Sequence, residues 1–220
     1  CVAISAVNGA SRRVLEKRLQ ILTKEKRERA ESKGVTRRFR YTVVGIPNTG
    51  KSTVVNLLGG AKRAKTGDIA GVTRDVRWIK CADFDLLDTP GTMPPSCKTQ
   101  YLARHLAYIG SLNDDILDIA DVALELLKEL KANYPAALQE RYGIDCGGNN
   151  AETDKTADEE ERTREAVEML ETACRRRGFI LRGGEFDYER GARAVIDDFR
   201  KGRLGKICLE NPSDFADVKF

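Results

Sequence analysis

Residues 45–52 read Gly45-Ile46-Pro47-Asn48-Thr49-Gly50-Lys51-Ser52, a G-x-x-x-x-G-K-S pattern. Its setting gives it weight. Tyr41 to Gly45 is a short run with strand character, and Ser52 to Leu58 resumes helical patterning, so the motif bridges a strand and a helix. There the glycines let the backbone wrap closely around an anion, its N–H groups point inward, and the helix N-terminus adds a favourable dipole. Lys51 is placed to neutralise the β- and γ-phosphates of a nucleotide and Ser52 to ligate magnesium. Asn48, Thr49, Gly50 and Thr53 complete the expected phosphate cradle. The bland reading, a glycine-rich turn that happens to hold Lys-Ser, does not account for the strand before it and the helix after it.

Downstream, Val76 to Cys81 and Phe84 to Leu87 read as two strands of a hairpin, and Asp88-Thr89-Pro90-Gly91 follows at once. Asp88 lies 36 residues after Ser52, a distance consistent with the magnesium-side motif of small GTPases. In that role Asp88 holds the metal through water and the Gly91 amide senses the γ-phosphate. Thr73, in Gly71-Val72-Thr73, lies between the two motifs, where a switch threonine closes the magnesium shell. The expected metal residues are therefore Ser52, Thr73 and Asp88. No catalytic group is assigned: Thr92 follows Gly91 where Ras-like enzymes carry a water-orienting glutamine.

Upstream, Val2 to Ser5 reads as a buried strand ending in a turn, and Ser11 offers an N-cap to an amphipathic helix reaching about Ser32, with Val14, Leu15, Leu19 and Leu22 at helical spacing. In an ordinary GTPase the strand ending in a Ser-Ala turn, which lines the guanine pocket, comes last. Here Ser5-Ala6 and the helix after it precede the phosphate loop, so the motif order reads as circularly permuted. No Asn-Lys-x-Asp base-recognition motif occurs in the chain, and it is expected upstream of Cys1. The expected fold is α/β: a partial, permuted P-loop GTPase domain over residues 1–110 and a helical C-terminal domain over 111–220. Ile116, Ile119, Ala120, Ala123, Leu124, Leu127 and Leu130 open that second part, and Arg162 to Arg177 and Tyr188 to Lys201 read as further helices. Gly147 to Asn150 and the acidic run from Glu152 to Glu161 read as a flexible excursion between them.

Several stretches resemble the YlqF/RbgA family of circularly permuted GTPases and its mitochondrial relatives. They are Gly45 to Thr53, Ala64-Lys65-Thr66-Gly67-Asp68, Gly71-Val72-Thr73 and Leu86 to Gly91. The likeness continues in Tyr142-Gly143-Ile144-Asp145, Gly183-Gly184 with Asp187-Tyr188, and Gly202 to Lys206, which resemble that family's helical domain. The resemblance implies a GTP-binding and GTP-hydrolysing assembly factor for the large ribosomal subunit, using GTP/GDP and Mg2+ and contacting rRNA, monomeric on the ribosome. Ser5 and Ala6 would border the base, and Asn48 stands where related potassium-dependent GTPases ligate K+. The polar excursion and divergent stretches favour the mitochondrial matrix over a bacterial-type cytoplasm. Two alternatives stand beside this reading: an RNA-associated nucleotide-binding module without turnover, and an ATPase.

Composition sets outer bounds. Charged residues make up 33% of 220 and apolar residues 41%, and no run approaches a bilayer span. The six cysteines are scattered without a C-x-x-C pair, which reads as reduced thiols. The net charge of +4 hides an asymmetry, with twelve Lys/Arg against four Asp/Glu between Ser11 and Arg40. A second basic stretch runs from Arg175 to Lys206, and both are candidates to face RNA phosphates. His105, the single histidine, is expected to be structural or on the surface.

Overall fold

The computed structural model describes residues 1–60, 76–93, 100–146 and 158–210. It divides into two units, Cys1–Ser96 with Gly110–Leu112, and Cys97–Ile109 with Asn113–Phe220. Each has its own core.

The first unit holds helix α1 (Ala10–Glu31), strand β1 (Phe39–Val43), helix α2 (Lys51–Gly59) and strands β2 (Arg77–Lys80) and β3 (Phe84–Asp88). The sheet order is β1-β3-β2. β1 and β3 run parallel, from Phe39 opposite Phe84 to Val43 opposite Asp88, while β2 pairs antiparallel with β3 as a hairpin. Alternation decides the buried face: Phe39, Ile79, Phe84 and Leu86 point to one side and pack with Val55 and Leu58 of α2. Arg38 secures the hairpin, donating to Asp85 and to the carbonyls of Cys81, Ala82 and Phe84.

The N-terminal segment departs from expectation. Val2–Ser5 forms no strand: among the described residues the sheet is β1-β3-β2, and the segment pairs with neither of its outer strands. Ser11 is not the N-cap either. Its hydroxyl accepts from the Ser5 amide, while Asn8 Oδ1 accepts from the Ala10 amide at 2.9 Å and so satisfies one open donor of the helix start. α1 forms nearly where expected, but only part of its apolar stripe is covered. Leu15 packs on the core, whereas Val14 and Leu22 are exposed.

The second unit is helical: α3 (Gln100–Tyr108), one 3-10 turn (Asp114–Ile116), α4 (Ile119–Asn133), α5 (Pro135–Tyr142), α6 (Glu159–Arg177) and α7 (Tyr188–Arg200). α3 thus belongs with the helical unit, and only Gly110–Leu112 return to the first one. The starts are written in the sequence: Asp118, Asp158 and Asp187 accept backbone N–H groups as N-caps, and Pro135 opens α5. Of the expected excursion, residues 147–157 lie outside the described residues, but Glu159–Glu161 are helical: they form the first turn of α6, with Arg175–Arg177 in its last, matching the helix dipole at both ends. Of the expected stripe, Ile119, Ala123, Leu127 and Leu130 of α4 are buried, Ala120 and Leu124 only partly, Val122 and Leu126 join the buried face, and Ile116 lies outside the helix and is exposed.

The second basic stretch is less available to a partner than its composition implies. Asp198, wholly buried, accepts from Arg141, Tyr142, Arg177 and Arg203. Arg200 makes a bidentate pair with Asp114 and also donates to the carbonyls of Ala107 and Tyr108. Arg177, Arg200 and Arg203 therefore brace the helical unit. His105 is structural, buried between Glu129 and Glu210. No helix among the described residues is long and apolar enough to cross a membrane.

Candidate functional site

Because β1 and β3 are parallel and in register at Val43 and Asp88, the loops that follow them leave the same edge of the sheet. Residues 45–52 and 89–92 are thereby neighbours although far apart in sequence. Hydrogen bonds join them: Thr89 Oγ1 donates to the Val43 carbonyl at 2.7 Å, and the Thr92 amide donates to the Gly45 carbonyl at 3.1 Å. Gly91 lies so close to the loop that a Cβ on it would stand 2.7 Å from Pro47 N, Cα and Cγ. The glycine of Asp88-Thr89-Pro90-Gly91 is required by this approach.

The loop itself is tightly curled. Asn48 (φ 59°) and Gly50 (φ 81°) both adopt the left-handed conformation, and α2 begins immediately afterwards at Lys51. Successive turns of this kind gather N–H groups into a concave nest suited to an anion. Among the described residues, the backbone amides of Asn48, Thr49 and Gly50 donate to no protein acceptor. The carbonyl of Ile46 accepts from Thr49 Oγ1 at 2.8 Å and from Lys51 Nζ at 2.7 Å. Ser111 Oγ donates to the Pro47 carbonyl at 2.7 Å.

Lys51 and Ser52 follow this curl directly at the start of α2, and Asp88 ends the strand β3. Lys51 is buried, and that burial lowers its pKa, against an opposing pull from the Asp88 carboxylate. Burial raises the pKa of Asp88, while the Ser52 hydrogen bond and the charges of Lys51 and Arg77 pull it down. Ser52 Oγ lies 3.4 Å from Asp88 Oδ2, and Asp88 Oδ1 is buried without a hydrogen-bond partner. A buried carboxylate oxygen left open beside a serine hydroxyl is an oxygen donor set suited to a hard cation such as Mg2+.

The structure thus brings together Asn48, Thr49, Gly50, Lys51, Ser52, Thr53, Asp88 and Gly91. The hydrogen bonds of Ser5 run to Asn8 and Ser11, and none among the described residues joins Ser5 or Ala6 to the loop. Thr73 lies outside the described residues. Ser111 was not legible as part of the site, since a serine after a glycine carries no distinguishing pattern.

The geometry is that of a P-loop, and comparison with known proteins carries it further. The family described as 50S ribosome-binding GTPase matches residues 40–145. Ribosome biogenesis GTPase A of Bacillus cereus is 34% identical over 218 residues, covering 98% of this chain and 69% of that protein. This chain belongs to the YlqF/RbgA family of ribosome biogenesis GTPases. Ribosome biogenesis GTPase A of Bacillus licheniformis is similar at 35% identity, covering 97% of this chain and 71% of its own length. Among solved structures, a YlqF protein in its GDP-bound form superposes with a TM-score of 0.54 at 25% identity, over 92% of this chain and 67% of the other. Family and fold agree on a P-loop GTPase domain followed by a helical region.

Proposed function

We propose that this GTPase binds GTP and GDP in the nest formed by Asn48 to Thr53, hydrolyses GTP, and acts in assembly of the large ribosomal subunit. The observation that carries the reading is the left-handed curl at Asn48 and Gly50, with amides open among the described residues, in a loop that leads into Lys51 and Ser52, the latter hydrogen-bonded to Asp88. On binding, the Lys51 ammonium would exchange the Ile46 carbonyl for phosphate oxygens, a charge-assisted hydrogen bond replacing a neutral one. Ser52 and Asp88, with Thr73 by its position in the sequence, would hold Mg2+, which neutralises charge on the phosphates. Gly91, pressed against Pro47, would report the γ-phosphate to the loop.

The partner reading rests on family membership and on basic residues not committed to the core. Arg13, Lys17 and Arg18 of α1, together with Arg176 of α6, supply positive charge for rRNA phosphates. Asn48 is the candidate K+ ligand, and a monovalent cation or the ribosome itself supplies the stimulation that Thr92, in place of a glutamine, does not. The chain works as a monomer on the large subunit, in the mitochondrial matrix. The test is GTP turnover by the full-length protein with and without large ribosomal subunits. Stimulation by subunits that disappears in Lys51→Ala supports the reading, and turnover indifferent to both subunits and Lys51 contradicts it.

A further inference from the structure

The phosphate loop has an anchor outside its own motif. Ser111 is 64 residues beyond Pro47, is 2% exposed, and donates its hydroxyl to the Pro47 carbonyl at 2.7 Å. It sits in the three-residue segment Gly110–Leu112, which belongs to the P-loop unit although the chain on either side belongs to the helical unit. Gly110, at φ 71°, makes the turn out of α3 that delivers it. On the far side of that segment, Asp114 is held by both terminal nitrogens of Arg200.

What this bond does follows from the planarity of the peptide group. In a trans peptide the carbonyl of one residue and the N–H of the next point in opposite directions. Fixing the Pro47 carbonyl on Ser111 therefore aims the Asn48 N–H the other way, away from the serine. That N–H is one of the three loop amides without a protein acceptor among the described residues. Asn48 also holds φ 59°, a conformation that costs a non-glycine residue free energy and persists where neighbours enforce it. Proline before it restricts the other side of the same peptide, and Gly91 closes on the proline ring.

We propose that Ser111 is a positioning residue of the nucleotide site: by holding the Pro47 carbonyl it presents the Asn48 amide to a nucleotide phosphate. This rests on the reading that residues 45–52 bind nucleotide. It adds that the strength of that grip is set by a residue of the same unit 64 positions beyond Pro47, in the segment Gly110–Leu112.

The experiment compares full-length protein with Ser111→Ala and Ser111→Thr, following binding of GDP and of GMP by competition against a fluorescent guanine nucleotide, with melting curves as the fold control. GMP lacks the outer phosphate, so it separates a role in aiming loop amides from general loosening. The expected result is GDP affinity about five- to tenfold weaker in Ser111→Ala, a much smaller change for GMP, and recovery in Ser111→Thr, which keeps the hydroxyl. Ser111→Cys, nearly isosteric but a far weaker donor, makes the same comparison if the alanine variant does not fold. GDP affinity within twofold of the unaltered protein in a folded Ser111→Ala or Ser111→Cys overturns the proposal while leaving the site reading intact. Equal losses for GDP and GMP also overturn it, by showing a structural role alone. Failure of the unaltered protein to bind GDP removes the site reading and this proposal with it.

Discussion

Replacing Gly91 by alanine tests the contact that joins the two nucleotide motifs. The new methyl would lie 2.7 Å from three atoms of Pro47, where ordinary contact begins at 3.4 Å, so one side must retreat by about 0.7 Å. Neither side moves freely. The backbone around Gly91 is tied to Val43 and Gly45 through Thr89 and Thr92, and Pro47 is held by Ser111. Two of the overlapping atoms are backbone, so no rotamer change relieves them. Overpacking of this kind costs about 1–3 kcal/mol. Because the displaced element carries the Asn48 amide, much of that cost should fall on the nucleotide complex, and 1.4 kcal/mol corresponds to about tenfold in affinity. Titration of a fluorescent GDP analogue, with melting temperature alongside, should give affinity reduced about tenfold or more and a modest loss of thermal stability. Affinity within twofold of the unaltered protein, with an unchanged melting temperature, would refute the packing argument.

The remaining predictions concern the helical unit and the cation. Asp198→Asn leaves Arg141, Arg177 and Arg203 without their buried counter-charge. Breaking a buried pair costs about 3–5 kcal/mol, and because these arginines are roughly a third exposed and can turn into water, a loss of about 2–3 kcal/mol is expected in urea unfolding followed by circular dichroism. Burial opposes ionisation of Asp198, but the donors from Arg141, Arg203, Tyr142 and Arg177 outweigh it and hold its pKa well below the ordinary carboxylate value. Its stabilisation is therefore fully present above about pH 4 and is lost progressively as pH falls toward the depressed folded-state pKa. Acid unfolding curves should show a decline below pH 4 that is shallower in Asp198→Asn. Exchanging K+ for Na+ should slow subunit-stimulated GTP turnover if Asn48 ligates the cation; identical rates in the two salts, or the same salt response in Asn48→Ala, remove that assignment.

Much of the site was legible because its chemistry is written in consecutive residues. Gly45 to Ser52 must follow a strand and open a helix to work at all, and β1 and α2 flank it as the periodicity of Tyr41 to Leu58 predicts. The helix expected from Arg162 begins at Glu159 instead, because Asp158 caps it and the three glutamates after it suit the positive end of the helix dipole. Long-range choices were not legible. Val2–Ser5 has the apolar character of a strand but pairs with neither outer strand of the sheet among the described residues, and its own composition does not decide that. The basic stretch from Arg175 to Lys206 looked available to a partner, yet one buried carboxylate, Asp198, recruits Arg177 and Arg203, and composition cannot show that convergence. Ser111 belongs to the same class, because its significance lies wholly in meeting Pro47 from 64 residues away.

The proposed GTPase function requires that the loop amides and Lys51 enclose the nucleotide phosphates. Calorimetric titration of GDP with Mg2+ into the full-length protein, in parallel with Lys51→Ala, tests that enclosure directly. A single binding site in the unaltered protein, weakened at least about a hundredfold in Lys51→Ala as expected when a charge-assisted contact of about 3 kcal/mol is lost, is the predicted result. Absence of binding, or equal binding by both proteins, contradicts it.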